Sequence, residues 1–422
     1  MLLEILERGS YSHLVIRSVL DKYAYLDRSQ RAFIKRVCVG CVERRMEIDH
    51  ILDQFSNTKV NKMKPVIRNI LRMGVYQILF MDKVPDSAAC NEAVKLAVSK
   101  KFGNLKGFVN GVLRNIARQK QQISYPDVAA KPLRYLSIRY SMPEWIVDMW
   151  LTQYGREKTE AILAGLLEER PLTLRLDESL SGEEQDELVL QAREAGILIE
   201  PCPELPYAYR IAHIDALDAL PGFLAGKWMV QDLGSMLITQ FAGIDRGDTV
   251  IDVCGAPGGK ALHAAAKVGE SGHVYVRDLT PHKVTLIEEN IGRTSYSNIT
   301  TQIMDATCFD EASVDAADVL IADLPCSGLG VIGRKPDIKY RITPEDLEAI
   351  AALQRKILET VHRYVKPGGT LLYSTCTLDK KENEENVRFI TSHLPFALEE
   401  EKELLPGSDH TDGFFMARFK RI

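Results

Sequence analysis

From about Val230 to its end the chain repeats one unit: a short apolar run, a turn rich in glycine or acid, then a helical stretch. DTVIDVCGAPGGKALHAAAKVG, residues 248–269, reads as strand, glycine turn and helix. GHVYVRDLTPHKVTLIEENIGRT, residues 272–294, reads as strand, acidic end and helix. ITTQIMDAT, ADVLIADLPCSG and GTLLYSTCTL supply further strands, with a helix from Pro344 to about Val365 and another in ENEENVRFITSHL. Units of this kind build an open, mainly parallel sheet with helices on both faces, a Rossmann-like α/β domain. Ligands of such sheets sit beyond the carboxyl ends of the strands, so chemistry is to be sought just after each strand.

The rest of the chain follows other rules. Residues 1–126 place apolar residues at three- and four-residue steps with no strand alternation, which predicts an all-helical bundle. Pro65 suits a first helical turn, and Asp86-Ser87 reads as an N-cap. Residues 121–126 are polar and end in proline, which predicts a linker. Beyond it, PLTLRLDES alternates like a strand between amphipathic helices, so residues 127–235 read as a linker and small α+β module, leaving 236–422 for the Rossmann-like domain. Charge is divided unevenly. Residues 1–130 hold 22 Lys and Arg against 12 Asp and Glu, and the remainder holds 31 against 46. A basic module fused to an acidic one suggests that the first meets a polyanion, with Lys106, Arg114, Arg118 and Lys120 near glycines as a candidate RNA-facing surface. No apolar run approaches the ~20 residues of a membrane span, and the start MLLEILERGSYSH lacks the pattern of a signal peptide. An unprocessed cytoplasmic protein is expected. Eight cysteines are too sparse for a disulfide framework. Cys38 and Cys41 have metal-ligand spacing, but with no second pair they read as core residues one helical turn apart, and no metal site is expected.

The first strand of the α/β part runs into Asp252 and the turn Cys254, Gly255, Ala256, Pro257, Gly258, Gly259 and Lys260, small residues that let backbone approach a ligand at a helix N-terminus. Asp278, at the end of the second strand, can accept the hydroxyl protons of a ribose, and Asp305, after the third, a proton from an adenine amino group. A nucleoside ligand follows. NAD enzymes share this plan but wrap G-x-G-x-x-G around a pyrophosphate; the turn here lacks that spacing, which favours S-adenosylmethionine over NAD. Two further strand ends leave Asp323-Leu324-Pro325-Cys326 and Thr375-Cys376, so two thiols fifty residues apart emerge beside the nucleoside cradle. A cradle, a carboxylate and two thiols at one sheet edge make an active-site constellation.

DVCGAPGGK, DLPCSG and STCT resemble motifs of the RNA cytosine-5 methyltransferases of the NOL/NOP/Sun group, and VQDLGSML and DGFFMARFKR resemble the segments that open and close their catalytic domain. PVIRNILRMGVYQILF, AACNEAVKLAVSKKF and KGFVNGVLRNIAR resemble the NusB-type RNA-binding domain, a fusion similar to the Sun/Fmu subfamily, which acts on 16S ribosomal RNA. The resemblance covers nearly the whole chain. It implies that Cys376 is the nucleophile adding to cytosine C6, that Cys326 helps product release, that Asp323 hydrogen-bonds cytosine N3 and that Lys260 reaches the same base. It also implies a cofactor cradle formed by Cys254–Lys260, Asp278, Asp305 and Asp323, and a monomer with no membrane partner. Gly333 stands where relatives commonly carry a basic residue, an exchange expected to weaken an RNA contact, and Asp177 where they commonly carry Asn. The rival reading is a NusB-like RNA-binding factor whose cofactor domain is not catalytic.

Overall fold

The computed structural model describes every residue except 213, 215 and 410. The chain divides into two compact units, one formed by Met1–Leu167 with Ile332–Arg341, the other by Glu168–Val331 with Ile342–Ile422.

The first unit is helical throughout. Pro65 opens the helix Pro65–Phe80, as its fixed φ and missing N–H favour. Ile67, Ile70, Leu71, Val75 and Ile78 line the buried face of that helix at three- and four-residue steps. Asp86 is not a cap: the helix Asp86–Ser99 starts after Pro85 without a side-chain cap, and the Asp86 carboxylate instead pairs with Lys120 at 2.9 Å. The segment expected as a linker is packed. Ser124 bonds through its N–H and hydroxyl to Gln54, and the Tyr125 hydroxyl donates at 2.7 Å to Glu47, a fully buried carboxylate also held by Arg44 and Arg139. A buried carboxylate without such donors would cost several kcal/mol, so the polar run 121–126 satisfies a core acid. The helical unit continues through the helices Pro132–Arg139 and Glu144–Gly165 to Leu167.

Residues 332–341 belong to this unit although they follow the strand that leads to Cys326. Asp337 accepts from the Ser12 N–H and hydroxyl, Lys339 donates to the Glu43 carbonyl at 2.7 Å, and the Arg45 guanidinium lies 3.6 Å from the Tyr340 ring centroid. Gly333 sits against backbone: a Cβ there would lie 2.9 Å from the Leu166 carbonyl oxygen. A basic side chain at this position would have to displace that backbone.

The second unit holds two sheets. Strands β1 (Leu172–Leu176), β2 (Leu198–Pro201), β3 (Ala208–Ala212) and β4 (Trp228–Val230) form an antiparallel sheet in the order β2-β3-β1-β4, backed by the helix Gly182–Glu194 with its Ser181/Glu184 capping box. The larger sheet contains β5 (Thr249–Asp252), β6 (His273–Asp278), β7 (Ile299–Ile303), β8 (Ala317–Asp323), β9 (Val365–Thr375), β10 (Phe396–Leu404) and β11 (Phe414–Arg421). Its order is β10-β11-β9-β8-β5-β6-β7, parallel from β9 to β7 and antiparallel at β10 and β11. The expected mainly parallel sheet is thus present, with β10 added. The acid-rich β10 is a poor strand former, but an edge strand with charged, exposed residues resists pairing with other chains. Strand order reverses between β5 and β8, so the crevice at their carboxyl ends is where this topology places a ligand. Among the described residues no helix is long and apolar enough to cross a membrane.

Candidate active site

The glycine turn leaves β5 and enters the helix Gly259–Val268, whose N-terminus has no side-chain cap, so its first N–H groups are free to meet a ligand. The Ala256–Pro257 bond is cis. A side chain at Gly255 would drive a Cβ to 2.3 Å from Val276 and 2.9 Å from the Asp252 carboxylate. Asp278, at the end of β6, accepts the Ala256 N–H at 3.1 Å and the Leu279 N–H at 2.7 Å, and pairs with Lys283 at 3.0 Å. Oδ1 takes both Leu279 and Lys283, and Oδ2, with only the Ala256 N–H, retains a lone pair for a hydroxyl donor. The exposed Asp305, two residues beyond β7, accepts from the Thr307 N–H and hydroxyl, bonds that hold its carboxyl below the usual range. Asp252 is fully buried, and its Oδ2 finds no hydrogen-bond partner among the described residues. Burial, reinforced by the charge of Asp323, pushes its carboxyl up to about 7. An unsatisfied buried oxygen beside a turn of small residues fits a ligand that brings its own donors.

Across the strand reversal, Lys260 pairs with Asp323 at 2.7 Å, both largely buried, and the second Asp323 oxygen accepts the Ser374 hydroxyl at 2.8 Å. Burial alone would lower the Lys260 ammonium, but Asp323, Asp252 and Cys376 together raise it, so it stays charged. Just beyond, the sulfurs of Cys326 and Cys376 lie 3.1 Å apart, and the Cys376 N–H donates to the Cys326 sulfur at 3.3 Å. Both thiols are half-buried. The hydrogen bond to Cys376 and burial push the Cys326 thiol well up. Cys254, in the cradle, is likewise driven up by burial and three nearby carboxylates, so it is held as a thiol.

The two thiol-bearing loops are fastened to each other by close backbone approach. The Gly330 N–H donates to the Cys376 carbonyl at 3.0 Å, and a Cβ on Gly330 would lie 2.1 Å from the Gly413 carbonyl oxygen. Ser327 and Thr377 share a 2.6 Å hydroxyl contact. Four residues that no motif singles out complete this fastening: Gln354, Glu382, Asn383 and Asn386, all fully buried. Asn383 bonds to Thr375 and to the Thr377 carbonyl, and Gln354 bonds to the Pro325 carbonyl and Glu382. Run together, E-N-E-E-N reads as a solvated helix start. The discriminating signal is phase: Asn383 and Asn386 fall on the stripe of Val387 and Ile390, the buried face of the helix Glu384–His393.

The antiparallel sheet braces the cradle from behind. His263, on the helix that follows the glycine turn, is buried with its Nε2 2.7 Å from Glu178 and its ring edge-on to Tyr207. Burial and Arg175 pull its pKa down to about 3, so the imidazole is neutral. Asp177 accepts the Tyr296 hydroxyl at 2.6 Å and the Ser179 N–H and hydroxyl, tying the end of β1 to the larger domain. Among the described residues no group of three His, Cys, Asp or Glu side chains is placed to hold a metal ion.

Residues 243–420 match the family described as 16S rRNA methyltransferase RsmB/F, residues 1–118 the NusB family, and residues 142–215 the ferredoxin-like domain of RsmF/B-like methyltransferases. A probable ribosomal RNA small subunit methyltransferase B of Bacillus subtilis is 34% identical, the match covering 100% of this chain and 97% of that one. A protein of the same description from Synechocystis is 30% identical over 100% and 98% of the two chains. Among solved structures, PH0851 superposes with a TM-score of 0.80 at 24% identity, covering 96% of this chain and 93% of the other. A methyltransferase homolog from Pyrococcus horikoshii superposes at 0.62 with 22% identity, over 69% and 99%.

Proposed function

Because the chain belongs to the RsmB/F family of S-adenosylmethionine-dependent rRNA small subunit methyltransferases, we propose that it methylates C5 of one cytosine in 16S ribosomal RNA through a transient bond between Cys376 and cytosine C6. The observation that carries this reading is the meeting of two half-buried thiols, 3.1 Å apart, beside the Lys260–Asp323 pair at the strand reversal. Bound S-adenosylmethionine supplies an electrophilic methyl group, and Cys254–Lys260, Asp278, Asp305 and Asp323 form its cradle.

The chain's own residues prepare the carbon that receives it. Cytosine C5 is a weak nucleophile. When the Cys376 thiolate adds at C6, the C5=C6 electron pair moves toward C5 and the charge developing on the ring is taken up as N3 gains a proton from solvent, an N–H that the Asp323 carboxylate accepts and from which the proton departs again when the ring is restored. That carboxylate is the one paired with the Lys260 ammonium. A free thiol is only about 3% ionised at neutral pH, and the Lys260 ammonium has Cys376 among its electrostatic partners. After methylation the C5 proton leaves, its electron pair restores the ring double bond, and the C6–S bond breaks, with Cys326 placed 3.1 Å away to assist release. A stacked, paired cytosine hides C5 and C6, so the base must leave its helix at a cost of a few kcal/mol, which RNA contacts of the basic helical unit can offset. The protein is taken to act as a cytoplasmic monomer.

The test is transfer of labelled methyl from S-adenosylmethionine to unmethylated 16S RNA, read at single-nucleotide resolution by bisulfite mapping. Cys376→Ala should lose at least about a thousandfold in rate, whereas Cys326→Ala should accumulate an RNA–protein adduct that survives denaturation. An adduct retained by Cys376→Ala and lost by Cys326→Ala would reverse the two roles; tight RNA binding without any methyl transfer would favour the binding factor.

A further inference from the structure

The two sulfurs share one pocket but not one electrostatic environment. Cys376 has the Lys260 ammonium as its neighbour, whereas Cys326 has an acid behind it. That acid is Glu382, fully buried in the turn before the helix Glu384–His393. Its Oε2 accepts the Ser327 N–H at 3.0 Å and the Gln354 amide at 2.9 Å; the same amide donates to the Pro325 carbonyl at 2.9 Å, so Cys326 is gripped from both sides. Oε1 is buried and meets no donor among the described residues, while the backbone carbonyl of Glu382 is held by Tyr373 and Asn386. The titratable groups facing Glu382 are Cys326 from the β8 loop, Tyr373 from β9 and Asp379 from its own turn; the helix Pro344–Val361 presents the uncharged Gln354. Cys326 is faced by Cys376, Glu382 and Tyr373.

Resting on the reading above, we propose that Glu382 is a positioning residue that gives the two sulfurs different tasks: it fixes the Cys326 loop through Ser327 and Gln354, and its negative charge adds to the Cys376 hydrogen bond and to burial in keeping the Cys326 sulfur protonated while Cys376 attacks. Two adjacent thiols of equal acidity would compete for the pyrimidine. An anion beside Cys326 reduces the competition, since a negative charge disfavours a thiolate at close range. Burial pushes the Glu382 carboxyl up to about 7. The anion therefore forms within the neutral range, and its effect on Cys326 has a pH signature that a purely structural hydrogen bond lacks.

The full-length protein, without RNA or methyl donor, is alkylated with iodoacetamide from about pH 5.5 to 9.5, and the rate at Cys326 is followed by peptide mass spectrometry. In the wild type the logarithm of that rate should climb with pH, flatten near pH 7 as Glu382 ionises, and climb again. Glu382→Gln keeps an oxygen for both donors and removes the charge, so its profile should rise without the break and exceed the wild type by about threefold or more at pH 8. Superimposable profiles for the two proteins overturn the proposal. A wild-type profile of unit slope straight through pH 7 also overturns it, and that outcome is readable even if Glu382→Gln does not fold. Alkylation needs neither RNA nor methyl transfer. A missing break with active enzyme therefore refutes only the role of Glu382, and an intact break with no methyl transfer refutes only the covalent mechanism.

Discussion

The two cysteine pairs of this chain invert what their spacing suggests. Cys38 and Cys41 sit three residues apart, one turn of the helix Arg28–Glu43, with 4% and 0% exposure inside the apolar core of the helical unit. Burial pushes the Cys38 thiol up to about 11, and it pushes the Cys41 thiol well up too. Cys326 and Cys376 are fifty residues apart, yet their sulfurs meet at 3.1 Å, half-exposed, among Lys260, Asp323, Glu382 and Ser327. Sequence proximity puts two thiols on one helix face; reactivity comes from convergent strand ends and the polar groups that surround them. The first pair is packing and the second is chemistry.

That contrast can be broken directly. Cys41→Ser puts a hydroxyl into the apolar core, and should destabilise the helical unit by about 1–3 kcal/mol. Hydrogen exchange of the amides in Arg28–Glu43 would report the loss. Methyl transfer below the unfolding transition should stay within about twofold of the wild type. A large loss of transfer in a folded Cys41→Ser protein would mean that the first pair also serves the reaction.

The same contrast explains what could be read from the chain in advance. Strand ends announce themselves because an apolar run stops at an acid, a glycine turn or a cysteine, so the residues of the cradle, Asp323, Cys326 and Cys376 could be named in chain order. What could not be named is what supports them. Glu382, Asn383 and Asn386 look like a solvated helix start until the helix phase is applied, and Gln354 is one polar residue on an otherwise ordinary amphipathic helix. In the segment expected as a linker, Tyr125 and Ser124 carry hydroxyls that reach Glu47 and Gln54, neither of which is near them in sequence. Gly333 shows the converse, where an exchange that looks functional sits against the Leu166 backbone. Polar residues with distant partners leave no local periodic trace.

A smaller effect tests how the antiparallel sheet braces the cradle. The folded pKa of His263 lies near 3, below its unfolded value of 6.5. Its contribution to stability is therefore complete above about pH 6.5 and is lost as the pH falls toward 3, because the unfolded chain binds the proton first. The raised carboxyls of Asp252 and Glu382 act with the opposite sign: they keep a proton that the unfolded chain has released, so they favour folding at low pH and oppose it as pH rises toward 7. Wild type and His263→Gln share those carboxyls. The stability difference between the two proteins should thus change by about 1 kcal/mol between pH 6.5 and 5.5, the wild type losing more. Equal slopes in denaturant titrations at the two pH values would show that the imidazole takes up its proton within the fold.

The smallest expected effect returns to the helical unit, on its exposed side. Gly107 and Gly111 lie one turn apart inside the helix Lys106–Arg118, beside the exposed Lys106 and Arg114, and a Cβ at either would touch nothing within 4 Å. Each glycine costs the helix roughly 0.5–1 kcal/mol relative to alanine, and no neighbour in the fold requires the gap. Gly107→Ala should therefore stabilise the helical unit by about that amount, measured by calorimetry. If the bare strip is kept so that a sugar–phosphate backbone can approach between the basic side chains, the same methyl group should weaken 16S RNA binding by a few fold at fixed salt while leaving the alkylation profile of Cys326 unchanged. Stabilisation with undiminished RNA affinity would remove this face from the RNA surface and leave its glycines without a structural account.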